Sequence, residues 1–184
     1  MKDEQRLVQQ AQLGDDLAFN LLIDSYIPIV HNFILHLSKD SIVSEDLTQE
    51  TLFKAWRHLS KFDNTKKFRP WLLTIAHRST LDYWRKRKII NFSELVNTED
   101  KEFLDKILVS EEQNPEEFCQ NQEDIKAVQT IIAQLSLIEQ EIIFLHNNEE
   151  LTFDEIGQLQ NKPLNTVKSI YRRALQKIKQ KLNK

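Results

Sequence analysis

Apolar residues recur at helical spacing through most of this chain, in stretches bounded by residues that start or stop helices. Between Asp15 and His36, Phe19, Leu22, Ile23, Tyr26, Ile27, Val30, Phe33 and Ile34 follow one helical stripe. Pro28 stands inside it and predicts a kink or a division, because proline lacks the N–H and clashes with the preceding turn. Ser44 is the expected N-cap of the next helix, with Glu45 and Asp46 placed to favour its positive end. There Leu47, Thr51, Leu52, Ala55, Trp56 and Leu59 form the expected inward stripe. Asp46, Gln49, Glu50, Phe53 and Arg57 form a second coherent stripe. Acids and amides arranged around an aromatic fit a protein-docking surface; the alternative is a polar face with one stray aromatic.

The polar segment Lys61–Lys67 separates that helix from another, with Phe68, Trp71, Leu72, Ile75, Ala76, Ser79 and Tyr83 on one side. Its other side mixes Leu73, His77, Leu81, Trp84, Arg85 and Lys88. Cations that track phosphate beside rings that stack on unpaired bases suit single-stranded nucleic acid. Alternatively, Trp84 covers a neighbouring helix and the cations are solvated. Asp82 is placed to pair with Arg78, Arg85 or Lys86.

Further along, Ser136 with Glu139 and Thr152 with Glu155 have capping-box spacing, each opening a helix. After Asn161-Lys162-Pro163 a long helix is expected to about Leu182. Helix, short turn, helix is the resulting pattern, with Gly157 small where the two must approach. In the long helix Val167, Ile170, Tyr171, Ala174, Ile178 and Leu182 are expected to face inward. Asn165, Lys168, Ser169, Arg172 and Gln176 form the opposite stripe, with Arg173 beside it. Amides, hydroxyls and cations in the first half of a second helix suit major-groove readout, and cations further along suit phosphate. A plain helical hairpin is the alternative.

Composition narrows the fold class. The 184 residues include 2 Gly and 4 Pro, where an average chain of this length has roughly 13 and 9. So few turn-formers argue against a sandwich or barrel. No 18-residue apolar run is present, which predicts no membrane span, and the polar start predicts no signal peptide. Cys119 is alone, so no disulfide framework or cysteine zinc site is expected. The net charge of −3 conceals segregation: 14 basic and 11 acidic residues over 1–90, 2 and 11 over 91–124, 9 and 6 over 125–184. Lys66–Lys88 holds eight cations against Asp82 alone, and Lys162–Lys184 holds eight with no acid. The expectation is an all-α cytoplasmic protein of two small helical domains, 1–90 and 125–184. An acidic linker, 91–124, joins them and is expected to be mostly extended or disordered, with the short apolar pieces Phe103, Leu104, Ile107 and Leu108 forming a helical turn or docking on a lobe. Two basic lobes on an acidic tether suggest polyanion binding.

Enzymatic chemistry finds little support. His31 and His36 lie five apart, not on one face as an i, i+4 metal pair would. There is no glycine-rich phosphate loop and no setting for a Ser or Cys nucleophile, so no cofactor or catalytic residue is expected. A stand-alone helix-turn-helix regulator would account for 125–184 but leave the Asp46–Phe53 stripe idle.

Taken in order, EDLTQETLFKAW, FRPWLLTIAHRSTLDYWRKRK and LSLIEQEIIFLHNNEELTFDEIGQLQNKPLNTVKSIYRRALQKIKQKL resemble bacterial sigma factors of the extracytoplasmic-function group. The resemblance covers nearly the whole chain outside the acidic connector. It implies that the first lobe binds the clamp helices of core RNA polymerase and melts the minus-10 element. The second lobe would bind the polymerase flap and read the minus-35 element as duplex. By this resemblance Asp46, Gln49, Glu50 and Phe53 match the polymerase-docking helix, and Phe62–Phe68 the loop that captures a flipped minus-10 base. Trp71, Ile75, Ala76, Asp82 and Arg85 match the melting helix; Thr166, Val167, Lys168, Ser169, Arg173 and Ala174 match the recognition helix. The expected minus-10 set is Phe62, Asp63, Asn64, Lys66, Lys67, Arg78, Trp84, Arg85 and Lys88. The expected minus-35 set is Asn165, Thr166, Lys168, Ser169, Arg172 and Arg173. The resemblance also implies an inhibitory anti-sigma factor, and a connector threading the RNA-exit region, where its charge of −9 imitates nascent RNA.

Departures from the family pattern are specific. Arg78 stands where Asn is common, Leu52-Phe53 inverts a usual order, and Ile170 replaces a frequent Arg. Glu150 replaces a frequent turn glycine, leaving Asn147 or Asn148 to supply a left-handed residue. Gln160 and Lys162 occupy usually apolar positions, which predicts a loosely packed helix-turn-helix core.

Overall fold

The computed structural model describes residues 2–94 and 130–182, with side chains at 3–87 and 130–182. The connector from 95 to 129, including Cys119 and the turn expected around Phe103–Leu108, and the Lys88 side chain lie outside the described residues. Every regular element among the described residues is helical, and the helices fall into two compact units.

The first unit contains α1 (Lys2–Gln12), α2 (Asp16–Asp24), α3 (Ile27–Ser38), α4 (Ser41–His58), a 3-10 turn (Leu59–Lys61) and α5 (Phe68–Glu94). Pro28 divides the first apolar stripe as expected: it occupies the first turn of α3, and α2 and α3 meet at 54°. Asp15 caps α2, its carboxylate accepting from the Ala18 N–H at 3.0 Å. The cap of α4 is Asp40 rather than Ser44. Asp40 has extended backbone and accepts from the Val43 N–H at 3.1 Å. Ser44 is buried within the helix, its hydroxyl donating to the Ser41 carbonyl at 2.7 Å and lying 3.1 Å from His31 Nε2.

Val30, Phe33 and Ile34 of α3, Leu47, Thr51 and Ala55 of α4, and Phe68, Leu72, Leu73 and Ala76 of α5 form the core. Each large apolar side chain buried there contributes ~1.5–3 kcal/mol. Leu73 and His77, expected on the outer side of α5, are buried because this helix packs on both α3 and α4. Trp56, expected inside, is 51% exposed. The first element, α1, had no counterpart in the periodicity. It is held by buried Val8 and by the Tyr26 hydroxyl, which donates to Glu4 Oε2 at 2.6 Å. Burial, reinforced by the Glu4 carboxylate, raises the Tyr26 pKa and keeps the phenol protonated. The α5 helix continues to Glu94, past the domain limit expected at residue 90. Among the described residues no single helix is long and apolar enough to cross a membrane.

The second unit is helical at 130–133 and then forms α6 (Leu137–Asn147), α7 (Phe153–Gln160) and α8 (Leu164–Leu182). Both capping boxes are present. Glu150 itself takes the left-handed conformation (φ 54°), while Asn148 stays right-handed. Asn161 ends α7 at φ 55°. Gly157 meets the turn: a Cβ there would lie 2.7 Å from the Lys162 carbonyl oxygen. Ile142, Leu145, Ile156 and Val167 are fully buried. Leu135, Ile143 and Ala174 pack with Tyr171 and Ile178, but Leu182 remains exposed beyond them. The Gln160 amide has buried nitrogen and oxygen atoms with no hydrogen-bond partner, the polar intrusion its position predicted.

Candidate functional site

Three surfaces carry the chemistry. The first is the outer face of α4, where Asp46, Gln49, Glu50, Phe53 and Arg57 are all exposed. Phe53 is 57% exposed, with the Arg57 guanidinium 5.8 Å from its ring centre. Trp56 joins it at 6.2 Å, and the two rings border a cavity of about 590 Å³ walled from α2 by Phe19 and Ile23. Asp16 and Asp24 line the same cavity. The spacing on α4 put these residues on one exposed face but not Trp56 or the α2 wall, which tertiary packing brings beside them. Glu50 pairs with Lys54 Nζ at 2.6 Å, and that ammonium also donates to Ser79 Oγ of α5 at 2.9 Å.

The second surface is the loop after α4 together with the outer face of α5. Asp63, Asn64, Thr65, Lys66 and Lys67 are exposed. Asp63 Oδ1 accepts from the Thr65 N–H at 2.9 Å and the Thr65 hydroxyl at 2.8 Å, so its carboxyl is held below the usual carboxylate range. The Lys66 N–H closes the turn on the Asp63 carbonyl at 2.9 Å. Phe62 differs from its neighbours. It is 7% exposed, packed on Phe68 at 5.7 Å and Trp71 at 5.0 Å. The apolar ring has gone to the core, so it anchors the loop rather than lining its surface. On α5, Arg78 and Arg85 are exposed, each about one turn from exposed Leu81, on either side of it. Arg85 pairs with Asp82 at 3.2 Å, as its spacing predicted. Trp84 is half-buried, edge-on to Tyr83, with the Arg87 guanidinium 5.6 Å from its ring centre.

The third surface is α8. Asn165, Thr166, Lys168, Ser169, Arg172 and Arg173 are all exposed, while Val167, Ile170 and Ala174 between them hold the helix to its unit. Ser169 donates to the Thr166 carbonyl at 2.8 Å, and Arg173 Nε to the Ser169 carbonyl at 3.3 Å. Behind the helix, His146 stacks on Phe153 at 4.3 Å and meets Tyr171 at 4.9 Å, tying α6, α7 and α8 together. Its Nδ1 lies 2.8 Å from the Leu151 carbonyl. No sequence spacing pointed to this trio. The capping-box spacing pointed to Glu139 as the partner of Ser136, but nothing in it pointed to Lys177, whose Nζ donates to the Glu139 carboxylate at 2.7 and 2.9 Å. Lys181 Nζ donates to Gln134 Oε1. These two lysines, expected among the phosphate-holding cations, are engaged with their own unit. In the first half of α8 the side-chain bonds of Ser169 and Arg173 stay within that helix.

Comparison with known proteins accounts for both halves of the chain. Residues 22–89 match the Sigma-70 region 2 family and residues 131–180 match Sigma-70, region 4, together more than half of the sequence. The ECF RNA polymerase sigma factor SigM of Bacillus subtilis is 30% identical over 160 residues, 86% of this chain and 91% of SigM. SigW of the same species is 28% identical over 177 residues, 95% of this chain and 94% of SigW. The fold is shared with the sigma factor RpoE of Bartonella quintana, solved with the anti-sigma factor NepR, at a TM-score of 0.67 and 23% identity over 90% of this chain and 96% of RpoE. It is shared too with CnrH, solved with the cytosolic domain of CnrY, at a TM-score of 0.65 and 19% identity over 98% and 97% of the two chains. A stand-alone helix-turn-helix regulator is not favoured, because it leaves region 2 unexplained. The chain belongs to the extracytoplasmic-function group of RNA polymerase sigma factors, the initiation factors that bring core polymerase to promoter DNA.

Proposed function

We propose that the three surfaces divide the work of an alternative sigma factor. Asp46, Gln49, Glu50 and Phe53 dock on the clamp helices of core RNA polymerase, with Trp56 widening the apolar contact. Asp63, Asn64, Lys66 and Lys67 of the loop, with Arg78, Trp84, Arg85 and Lys88 of α5, hold the minus-10 strand as it leaves the duplex; Phe62 serves them from the core. Asn165, Thr166, Lys168, Ser169, Arg172 and Arg173 meet the minus-35 duplex, and the second unit also meets the polymerase flap. The domains are assigned to 1–90 and 125–184, with α5 running on to Glu94 at the start of the connector. The connector 91–124 runs through the RNA-exit region, its −9 standing in for transcript. This chain acts in the cytoplasm, assigns no covalent step to itself, and is held inactive by an anti-sigma factor.

The observation that carries this reading is that the six α8 residues and the four α4 residues are all exposed. None is spent on a core, yet each set keeps the chemistry its target requires: acids and an aromatic on α4, amides, hydroxyls and cations on α8. Opening DNA costs a few kcal/mol per unstacked step. Captured bases and phosphate contacts offset that cost only when both units engage, because the tether converts the second engagement into an intramolecular one. Core polymerase labelled at the clamp and titrated with the full chain tests the docking half. Gln49→Ala and Phe53→Ser each weaken association at least tenfold, while Lys168→Ala leaves it unchanged. Equal affinity for all three removes α4 from the interface.

A further inference from the structure

The loop after α4 is not held by its own residues alone. Gln12, the last residue of α1, reaches it from 50 residues away in the chain and lies outside the stretch matched by the region 2 family, 22–89. Its Nε2 donates to the Leu59 carbonyl at 2.9 Å and the Phe62 carbonyl at 2.8 Å, and its Oε1 accepts from Asn64 Nδ2 at 2.6 Å. The two carbonyls require the NH₂ of the amide, so its oxygen must face Asn64, and three of its four hydrogen-bonding positions are filled. The arm itself is seated firmly. Val8 buries one turn back, Glu4 accepts from Tyr26, and Gly14, at φ 94°, turns the chain away after α1.

The consequence is a loop shaped before any ligand arrives. Phe62 fixes one end in the aromatic cluster, the Asp63–Thr65 turn sets the tip, and Gln12 holds the Leu59 and Phe62 carbonyls where the loop begins, together with the Asn64 side chain. Asp63 to Lys67 are otherwise exposed, and without Gln12 they would have to be ordered at the moment of binding. Asn64 matters most, because its amide has both donors and an acceptor with which to read a base edge, and Gln12 occupies one donor and so directs the rest.

We infer that Gln12 is a positioning residue for base capture by this loop, controlling how tightly and how selectively an unstacked base is accepted. The inference rests on the minus-10 role proposed for the loop. Binding is read with reconstituted holoenzyme, full-length chain on core polymerase, selecting from single-stranded DNA carrying six randomised positions. Gln12→Met keeps the side chain's bulk and removes all three hydrogen bonds; Gln9→Met, on the exposed side of α1, is the control.

With hydrogen bonds of this kind lost, Gln12→Met weakens single-strand binding roughly tenfold. It also flattens base preference at the captured position, with affinity for core polymerase held within about twofold. In the chain without polymerase, the Thr65 and Lys66 amides exchange with solvent roughly tenfold faster than in the parent, while α3 amides do not change. Unchanged base preference with unchanged loop exchange overturns the inference. So does a proportional loss of core binding, loop protection and α3 protection, which describes a merely structural residue. Should the parent holoenzyme itself select no sequence, the minus-10 reading fails rather than the role of Gln12, and the exchange comparison still decides whether Gln12 shapes the loop.

Discussion

Removing the Glu139 carboxylate tests how the second unit is held together. Glu139 is 5% exposed and accepts from the Ser136 N–H at 3.1 Å, the Ser136 hydroxyl at 2.9 Å and Lys177 Nζ at 2.7 and 2.9 Å. Breaking a fully buried ion pair costs ~3–5 kcal/mol, but the Lys177 side chain is 52% exposed. Solvent therefore screens the pair, and ~1–2 kcal/mol is the appropriate scale, between the buried and surface cases. The capping box adds ~1 kcal/mol. Glu139→Ala is expected to destabilise the unit by ~2–3 kcal/mol, Lys177→Met by ~1, with a coupling of ~1 in the double-mutant cycle. Lys177 and then Ser136 hold the carboxyl below its ordinary pKa of 4.5 against the opposing effect of burial. A depressed folded pKa gives stability that is complete above the ordinary value and disappears as pH falls through the folded one. The acid-side loss is therefore absent in Glu139→Gln. All three tryptophans, Trp56, Trp71 and Trp84, belong to the first unit, so amide exchange of α6 and α8 is the unit-specific assay. Zero coupling, or a carboxylate contribution that grows toward low pH, refutes this account of the pair.

Gln160→Leu removes two buried polar atoms that have no partner and is expected to stabilise the second unit by ~1–3 kcal/mol, read as slower exchange at Ile156 and Val167; faster exchange contradicts it. Gly157→Ala gains ~1 kcal/mol of helix propensity. It also drives a methyl to 2.7 Å from the Lys162 carbonyl, at an overpacking cost of ~1–3 kcal/mol. A net loss of stability and weaker duplex binding follow, and a stabilised variant would show that the turn yields freely. Phe53→Ser changes thermal stability little, since the ring is exposed, yet costs polymerase affinity ~2 kcal/mol; a large fall in melting temperature would make Phe53 structural. If the complete initiation complex contacts ~6 phosphates through this chain, its affinity falls ~10³-fold between 50 and 200 mM salt, and a flat response contradicts phosphate-led binding.

Local chemistry made much of this architecture legible. The division at Pro28, both capping boxes and the close approach at Gly157 each follow from one residue type in one backbone setting. The exposed α8 stripe was readable because its apolar complement, Val167, Ile170 and Ala174, repeats at helical spacing. What escaped depends on partners distant in the chain. A helical wheel cannot say whether one face or two will be covered, so Leu73 and His77 looked external until α3 and α4 closed on α5. Trp56 looked internal until its position opened onto the α2 wall. Phe62 sits in a polar run, and only Phe68 and Trp71 give its ring a place. Ser44 lost the cap to Asp40 because the chain extends four residues earlier than the apolar pattern suggests. Gln12 and Lys177 carry no local signal at all: their roles exist only where separate helices meet.

Sequence-directed initiation is measured most directly by run-off transcription, with purified core polymerase and fragmented genomic DNA in the presence and absence of the full-length chain. The chain is expected to produce transcripts from a discrete set of start sites that core polymerase alone does not use. Phe53→Ser should abolish them at limiting protein, and Arg172→Ala should weaken them. The same start sites at the same yield without the chain would contradict its assignment as the factor that selects and opens promoters.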